Sequence, residues 1–418
     1  MEYQLAVGKY AGKIVVPASK SDAQRALLIA SLGNETSVLH GVGQSKDERS
    51  ILHCIEQMGA IINKQSPSVI SIQGNFQYSN FSNLNCGESG LGLRMLTSIC
   101  SLKHRPITID GEGTLKTRNQ NFFNQFLPQF GVKIQSNDAR IPIQVEGPLK
   151  PGEYVVDGSE SSQYISGLLI ALSQIEGDSV LEVKNLTSRP YVDMTIQTLQ
   201  KFGVEIQETK PVIFNILGNQ IIKGIEYTVD GDWSSASFWL VASALGLDIK
   251  VSGLSMGSKQ ADKAILNALM LANCRINLSD EGIAIEGKDR KSVEFDATHC
   301  PDLFPALTTY AALTKGTSRI KGVHRLMNKE SNRAEALISE FGKLGVQLFI
   351  EEDTLVIEGE NGLKSVRVDA HNDHRIAMCL AIAGIVSKNE LIISGAESVE
   401  KSYPSFWEDL EKCRKSNL

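Results

Sequence analysis

The sequence predicts an α/β protein of two domains, built from six copies of a βαβαββ unit with three copies in each domain. Three observations carry this expectation. Helix-like stretches end at a regular interval, a second and more apolar helix recurs on nearly the same interval, and the two ends of the chain each hold a fraction of one unit. At 418 residues the chain also exceeds one ordinary hydrophobic core.

The helix ends come first. "QMGAII", "QFGVKI", "KFGVEI", "LANCRI" and "KLGVQL" each read as the close of an amphipathic helix followed by a strand. Their turning residues are Gly59, Gly131, Gly203, Asn273 and Gly345, separated by 72, 72, 70 and 72 residues. Gly and Asn reach the left-handed conformation of a helix C-terminus at little cost. The stretches before them, such as "KAILNALMLAN" and "AEALISEFGKL", are half polar, as a covering helix should be.

The second helix starts within "SKSDAQRALLIASL" at 19, "CGESGLGLRMLTSIC" at 86, "GSESSQYISGLLIAL" at 158, "GDWSSASFWLVASAL" at 231, "HCPDLFPALTTYAAL" at 299 and "HNDHRIAMCLAIAG" at 371. Each opens with small or polar residues suited to capping and then turns apolar on nearly all sides, which predicts buried helices. The sixth unit stops at "SFWEDLEKCRKSNL" without its strands, while strand-like "YQLAVG" and "KIVVPA" precede the first unit. The amino terminus is therefore expected to complete the last unit. Domain I would comprise 1–18 with 232–418 and domain II 19–231, the chain crossing near 18–20 and 229–232.

Composition narrows the function. A chain that is 42% hydrophobic and 22% charged, with a formal net charge of −6, lacks the basic surplus of a general nucleic-acid or anionic-membrane binder. No run is long and apolar enough for a membrane span, and "MEYQLAVGKYAGK" lacks a signal-peptide pattern, so a cytoplasmic monomer is expected. Seven cysteines without a C-x-x-C read as reduced thiols. Of seven histidines only His371 and His374 lie close together, so a structural or catalytic metal is not expected.

If the buried helices aim their amino-terminal ends into one interdomain cleft, their partial positive charges and free N–H groups converge there. Near those starts or in adjacent loops lie Lys20, Arg25, Arg94, Arg118, Lys329, Arg333, Arg375 and Lys401. A single Lys or Arg is ordinarily a solvated charge or half of an ion pair. Recurrence at equivalent places in a repeat, and the placing of Arg94 and Arg375 inside apolar helices, favour an anion site instead. The ligand expected is small, with several phosphates or carboxylates. Ser161, Ser162 and Gln163 suit either a helix cap or a phosphate and hydroxyl contact.

"PASKSDAQRALLIASL", "DGSESSQYISGLLIAL", "TSRPYVDMT", "GDWSSAS", "PDLFPAL", "KESNR", "NDHRIAM" and "EKSYPSFWEDL" resemble, in order from residue 17 to 410, the signatures of the 5-enolpyruvylshikimate-3-phosphate synthase family. The resemblance implies the two-domain enolpyruvyl-transferase fold with its ligands in the interdomain cleft. It implies transfer of the enolpyruvyl group of phosphoenolpyruvate to the 5-hydroxyl of shikimate 3-phosphate, releasing phosphate without a cofactor. Carried over by motif, Lys20, Ser21, Arg25, Ser161, Ser162, Gln163, Ser188, Tyr191, Asp302 and Lys329 would contact shikimate 3-phosphate. Lys20, Gly90, Arg118, Gln163, Arg333, Arg375 and Lys401 would surround phosphoenolpyruvate. Asp302 is the candidate base at the attacking hydroxyl, with Lys20 and Glu330 sharing proton traffic at the methylene carbon.

The chain departs from the family pattern at a few places. Glu88 and Leu91 in "GESGLGLR" stand where the family usually has Asn and Thr, Asn332 where it usually has Asp, and Met327 where it often has Arg. Two other readings remain on the sequence alone. One is the sister family that acts on UDP-N-acetylglucosamine, which typically places a reactive Cys in the loop matching "GEGTLKTR", where this chain has none. The other is a catalytically impaired phosphometabolite-binding homologue, suggested by Glu88 and Asn332.

Overall fold

A computed structural model describes residues 1–327, 329–359 and 362–415. The chain divides into two compact units, one continuous over Ala18–Val229 and one split into Met1–Pro17 and Asp230–Leu418.

The continuous unit holds three four-stranded sheets of one topology. In the third, Glu153–Asp157 runs parallel to Ser179–Lys184, with Tyr154 opposite Leu181. Ser179–Lys184 pairs antiparallel with Ile213–Ile216, which pairs antiparallel with Ile206–Lys210. Helix Ser162–Leu172 links the parallel strands, and helix Arg189–Lys201 leads to the hairpin. This is the βαβαββ unit. Its middle counterpart carries helix Gly90–Cys100 and a short outer helix, Asn121–Phe126, that tightens into the 3-10 turn Leu127–Phe130 at Pro128.

The split unit holds a five-, a four- and a three-stranded sheet. The four-stranded one repeats the same order from Glu294–Asp296 to Thr354–Gly359, around helix Phe304–Ala312.

The expectation for the amino terminus holds for only its first strand. Glu2–Gln4 pairs antiparallel with Ile392–Ser394 and joins the sixth unit's sheet. Lys9–Val15 instead lies parallel to Asp248–Ser252, Ile14 opposite Val251, and opens the sheet of the unit that contains helix Trp233–Ala244. The strand just before that helix in the chain, Glu226–Thr228, is parallel to Ser37–His40 and opens the first sheet of the continuous unit. A parallel strand pair needs a crossover between its members, so each opening strand comes from wherever the chain last passed that sheet. Sequence order alone points to the wrong sheet. The expected sixth outer helix runs Phe406–Cys413, and the last three residues of "SFWEDLEKCRKSNL" lie outside the described residues.

Burial follows the patterning. Gly90–Cys100, Trp233–Ala244 and Phe304–Ala312 are buried along their whole lengths, whereas Lys46–Gln57 buries Asp47, Glu48, Ile51, Cys54 and Ile55 alone. The five turning residues all take positive φ, from 62° at Asn273 to 95° at Gly345. At four of them the next N–H reaches back in a Schellman bond, Ala60 to Ile55, Val204 to Leu199, Cys274 to Leu269 and Val346 to Phe341. No helix among the described residues is long and apolar enough to cross a membrane.

Candidate active site

Most of the predicted residues gather into one polar cluster in each unit. In the continuous unit the cluster lies at the amino-terminal ends of the three buried helices. Ser19 caps Lys20–Leu32, accepting from the Asp22 N–H, and Ser89 caps Gly90–Cys100, accepting from the Gly92 N–H. Ser161 caps Ser162–Leu172, accepting from the Gln163 N–H. Ser188 holds a left-handed backbone, φ 51°, just before helix Arg189–Lys201.

A cation at a helix start needs acceptors, and the fold supplies them. Lys20 Nζ lies 2.9 Å from Asp47 Oδ2, on the first turn of the neighbouring outer helix. That turn is fixed by a capping box in which Ser45 and Glu48 satisfy each other's backbone N–H. Arg25 is 1% exposed and donates to Thr195 Oγ1 at 2.7 Å, the Ser21 carbonyl at 2.7 Å, the Tyr191 carbonyl at 3.3 Å and Ser166 Oγ at 3.5 Å. Burial still pulls its guanidinium down to about 10. Arg25 thus ties three helices together and brings Ser21 and Tyr191 beside it.

Arg94 crosses within the same unit to donate to Gln163 Oε1 at 2.7 Å and Gln120 Oε1 at 3.2 Å, with its guanidinium 5.0 Å from the Tyr164 ring centroid. Gly90 lies directly below two guanidiniums: a Cβ there would sit 3.1 Å from Arg118 Nη1 and 3.8 Å from Arg94 Nη1. Glu88 is turned toward the adjacent loop, its carboxylate packed over Gly113, where an added Cβ would meet Glu88 Cδ at 2.5 Å.

In the split unit the cluster is an ion network centred on Arg333, the first residue of helix Arg333–Lys343 and 1% exposed. Its Nη1 lies 2.6 Å from Asp302 Oδ1, its Nη2 2.6 Å from Glu330 Oε2 and its Nε 2.8 Å from Asp373 Oδ2. Asp302 also meets Arg375 Nη2 at 3.0 Å and Lys329 Nζ at 3.5 Å. Burial raises the Asp302 carboxyl, but Arg375, Lys329 and Arg333 outweigh it and hold the group well below the usual carboxylate range. Burial lowers the Lys329 ammonium. Lys401 ends the 3-10 turn Ala396–Lys401 and is 6% exposed.

Arg375 is the most telling member. It is 7% exposed, yet its Nε and Nη1 find no hydrogen-bond partner among the described residues. Buried guanidinium donors are rarely left so, and these open N–H groups suit an anion such as a carboxylate or phosphate.

Three contributors escaped the sequence reading. Asp47 carries a signal in the capping-box pattern "SKDE", and Asp373 in its place before an apolar run, where it caps His374–Ser387 by accepting from the Arg375 N–H. Asp262 carries no such signal: it is 0% exposed, hydrogen-bonded to Ser234 Oγ, and pushed up to about 6 by burial and by nearby Asp302.

Known proteins resemble this chain in sequence and in fold. A family model described as EPSP synthase (3-phosphoshikimate 1-carboxyvinyltransferase) matches residues 6–410. A 3-phosphoshikimate 1-carboxyvinyltransferase of Clostridium kluyveri is 38% identical over 403 residues, covering 96% of this chain and 94% of that one. One from Clostridium acetobutylicum is 38% identical over 406 residues with the same coverage. An EPSP synthase structure from Acinetobacter baumannii superposes with a TM-score of 0.81 at 23% identity, covering 99% of this chain and 98% of that chain. The enolpyruvyl transferase NikO from Streptomyces tendae gives 0.78 at 14% identity, covering 99% and 96%.

Proposed function

The chain belongs to the EPSP synthase, or 3-phosphoshikimate 1-carboxyvinyltransferase, family, and from that premise we propose how its own residues carry the reaction. The enolpyruvyl group of phosphoenolpyruvate passes to the 5-hydroxyl of shikimate 3-phosphate, giving 5-enolpyruvylshikimate 3-phosphate and phosphate. Addition joins the hydroxyl oxygen to C2 while C3 gains a proton. Elimination then returns a proton from C3 and expels phosphate.

Both substrates carry a phosphate and a carboxylate, and the cations divide between them. Ser161, Ser162 and Gln163, at one helix start, hold the shikimate 3-phosphate with Lys20, Ser21 and Arg25. Ser188 and Tyr191 line its other side, and Lys329 and Asp302 reach the ring. Arg375 offers its two open donors to phosphoenolpyruvate, and we assign Arg333, Arg118, Lys401 and Gly90 to the same substrate, with Lys20 and Gln163 assigned to both. The supporting observation is Arg375, a buried cation whose donors exceed its protein partners.

Asp302 accepts the proton of the 5-hydroxyl. Held by three cations it is a poor base, and its strength rises as incoming anions draw Arg375 and Lys329 toward themselves. Lys20 and Glu330 give and remove the proton at C3. The enzyme is taken to work as a cytoplasmic monomer, which light scattering of the purified protein checks for oligomeric state.

The test is phosphate release from phosphoenolpyruvate with either acceptor. Release with shikimate 3-phosphate alone supports the proposal; release with UDP-N-acetylglucosamine, or with neither, overturns it.

A further inference from the structure

We propose that Glu340 and His371 form a clamp that positions Asp373, and through it Arg333 and Arg375, for this reaction. Glu340 lies on helix Arg333–Lys343, seven residues from Arg333 and so on the same face two turns along. It is 0% exposed, an unusual place for a carboxylate. Its Oε1 meets His371 Nε2 at 2.8 Å and its Oε2 accepts from the Asp369 N–H at 2.8 Å. Lys343 Nζ at 2.7 Å and Ser339 Oγ at 3.0 Å complete its shell.

What the clamp grips is a tight turn. His371 and Asn372 are consecutive non-glycine residues at φ 51° and 53°, an uncommon left-handed pair whose position depends on the contacts that hold its ends. Asp369 Oδ1 accepts from the His371 N–H at 2.6 Å, and the Ala370 carbonyl accepts from the Asp373 N–H at 2.8 Å, so the turn ends on Asp373. One helix face thus holds both ends of the turn, Glu340 at Asp369 and His371, Arg333 at Asp373.

Asp373 is also 0% exposed and serves two active-site cations at once. Its Oδ2 lies 2.8 Å from Arg333 Nε, and its Oδ1 accepts from the Arg375 N–H at 2.9 Å. A shift of the turn therefore moves the guanidinium that orients Asp302 and Glu330, and the helix start that aims Arg375. Burial raises the Glu340 carboxyl, but the bonds from Lys343, His371, the Asp369 N–H and Ser339 prevail and keep it below its ordinary range, so Glu340 is an anion at neutral pH. Glu340 and His371 act through Asp373 and touch no substrate; they are positioning residues.

The inference rests on the functional reading above, and the experiment separates the two. Full-length wild type, Glu340→Gln, His371→Ala, the double variant and His371→Gln are assayed with phosphoenolpyruvate and shikimate 3-phosphate, each rate normalised to the folded fraction by circular dichroism. Each of the first two variants is expected to lower kcat/KM for phosphoenolpyruvate about tenfold, with the KM for shikimate 3-phosphate within about twofold of wild type. The double variant should fall no lower than the weaker single one, and His371→Gln, which keeps a donor of similar reach, should stay within about twofold of wild type. If wild type turns over and both single variants match it, or if their losses multiply in the double, the clamp is wrong while the functional reading stands. A wild type inactive with these substrates overturns that reading and the clamp with it. Should Glu340→Gln fail to fold, His371, whose side chain is 37% exposed, carries the test alone.

Discussion

Lys20 Nζ sits 2.9 Å from Asp47 Oδ2, so the cation that opens the first buried helix is balanced by the first turn of the outer helix beside it. Side-chain exposures of 13% and 5% leave the pair largely out of water. The balance is local: it removes the penalty for a cation at a helix start without a long reorganisation when an anion arrives. Replacing Lys20 by Met should lower kcat by about 10² to 10⁴-fold, the usual worth of a proton-transfer group, with an unchanged far-ultraviolet circular dichroism spectrum. Near-wild-type turnover would take Lys20 out of the chemistry.

Gly90→Ala separates stability from function. Gly90 is the first residue of its helix, where Gly and Ala differ less than in a helix interior, so the melting temperature should change little. The new Cβ lies 3.1 Å from Arg118 Nη1 and pushes that guanidinium by a few tenths of an ångström. Steady-state kinetics should therefore show a higher KM for phosphoenolpyruvate and little change in that for shikimate 3-phosphate. An unaltered KM for phosphoenolpyruvate would show that Arg118 does not contact it.

Asp262 sets a pH dependence of stability. Its folded carboxyl titrates at about 6, above the unfolded value near 4, so its contribution is fully present below about pH 4 and is lost as pH rises through 6. At neutral pH the buried anion costs on the order of 1–3 kcal/mol. Asp262→Asn keeps an acceptor for Ser234 and should melt above wild type at pH 8, the gap closing as pH is lowered toward 4. Parallel melting curves across that range would contradict the assignment.

Thr195→Val tests the Arg25 anchor. Thr195 Oγ1 accepts from Arg25 Nε at 2.7 Å and lies 2.7 Å from Ser166 Oγ, all buried. Valine keeps the shape and leaves a guanidinium N–H without its acceptor, which should cost about 1–3 kcal/mol in denaturant unfolding. The loosened Arg25 should also raise the KM for shikimate 3-phosphate. A variant as stable as wild type would mean that Arg25 finds another acceptor.

Much of the architecture is local chemistry and was readable as such. Gly59, Gly131, Gly203, Asn273 and Gly345 announce helix ends because few other residues reach positive φ cheaply, and all five do so here. The burial of Trp233–Ala244 follows from an apolar surface on every side. The exchange of opening strands was not readable. Lys9–Val15 and Glu226–Thr228 look alike in pattern, and their sheets are set by crossovers over hundreds of residues.

The site divides in the same way. Cations at helix starts stand out against the dipole, so Lys20, Arg25, Arg333 and Arg375 were visible. Of their acidic partners Asp302 and Glu330 were visible too, but Asp47 and Asp373 at helix starts look like ordinary caps, and only distances reveal that they hold Lys20 and Arg333. Glu88 looked like a charge set against an anion site; the fold turns it over Gly113.

The central claim is tested most directly by following the transferred carbon itself. Purified protein is mixed with shikimate 3-phosphate and phosphoenolpyruvate labelled with ¹³C at C2, and the label is followed by NMR. The label is predicted to leave phosphoenolpyruvate and appear as an enol ether on the 5-oxygen of shikimate 3-phosphate, one equivalent of phosphate accompanying each transfer. Label that stays in phosphoenolpyruvate, or that appears only in free pyruvate, would contradict the account.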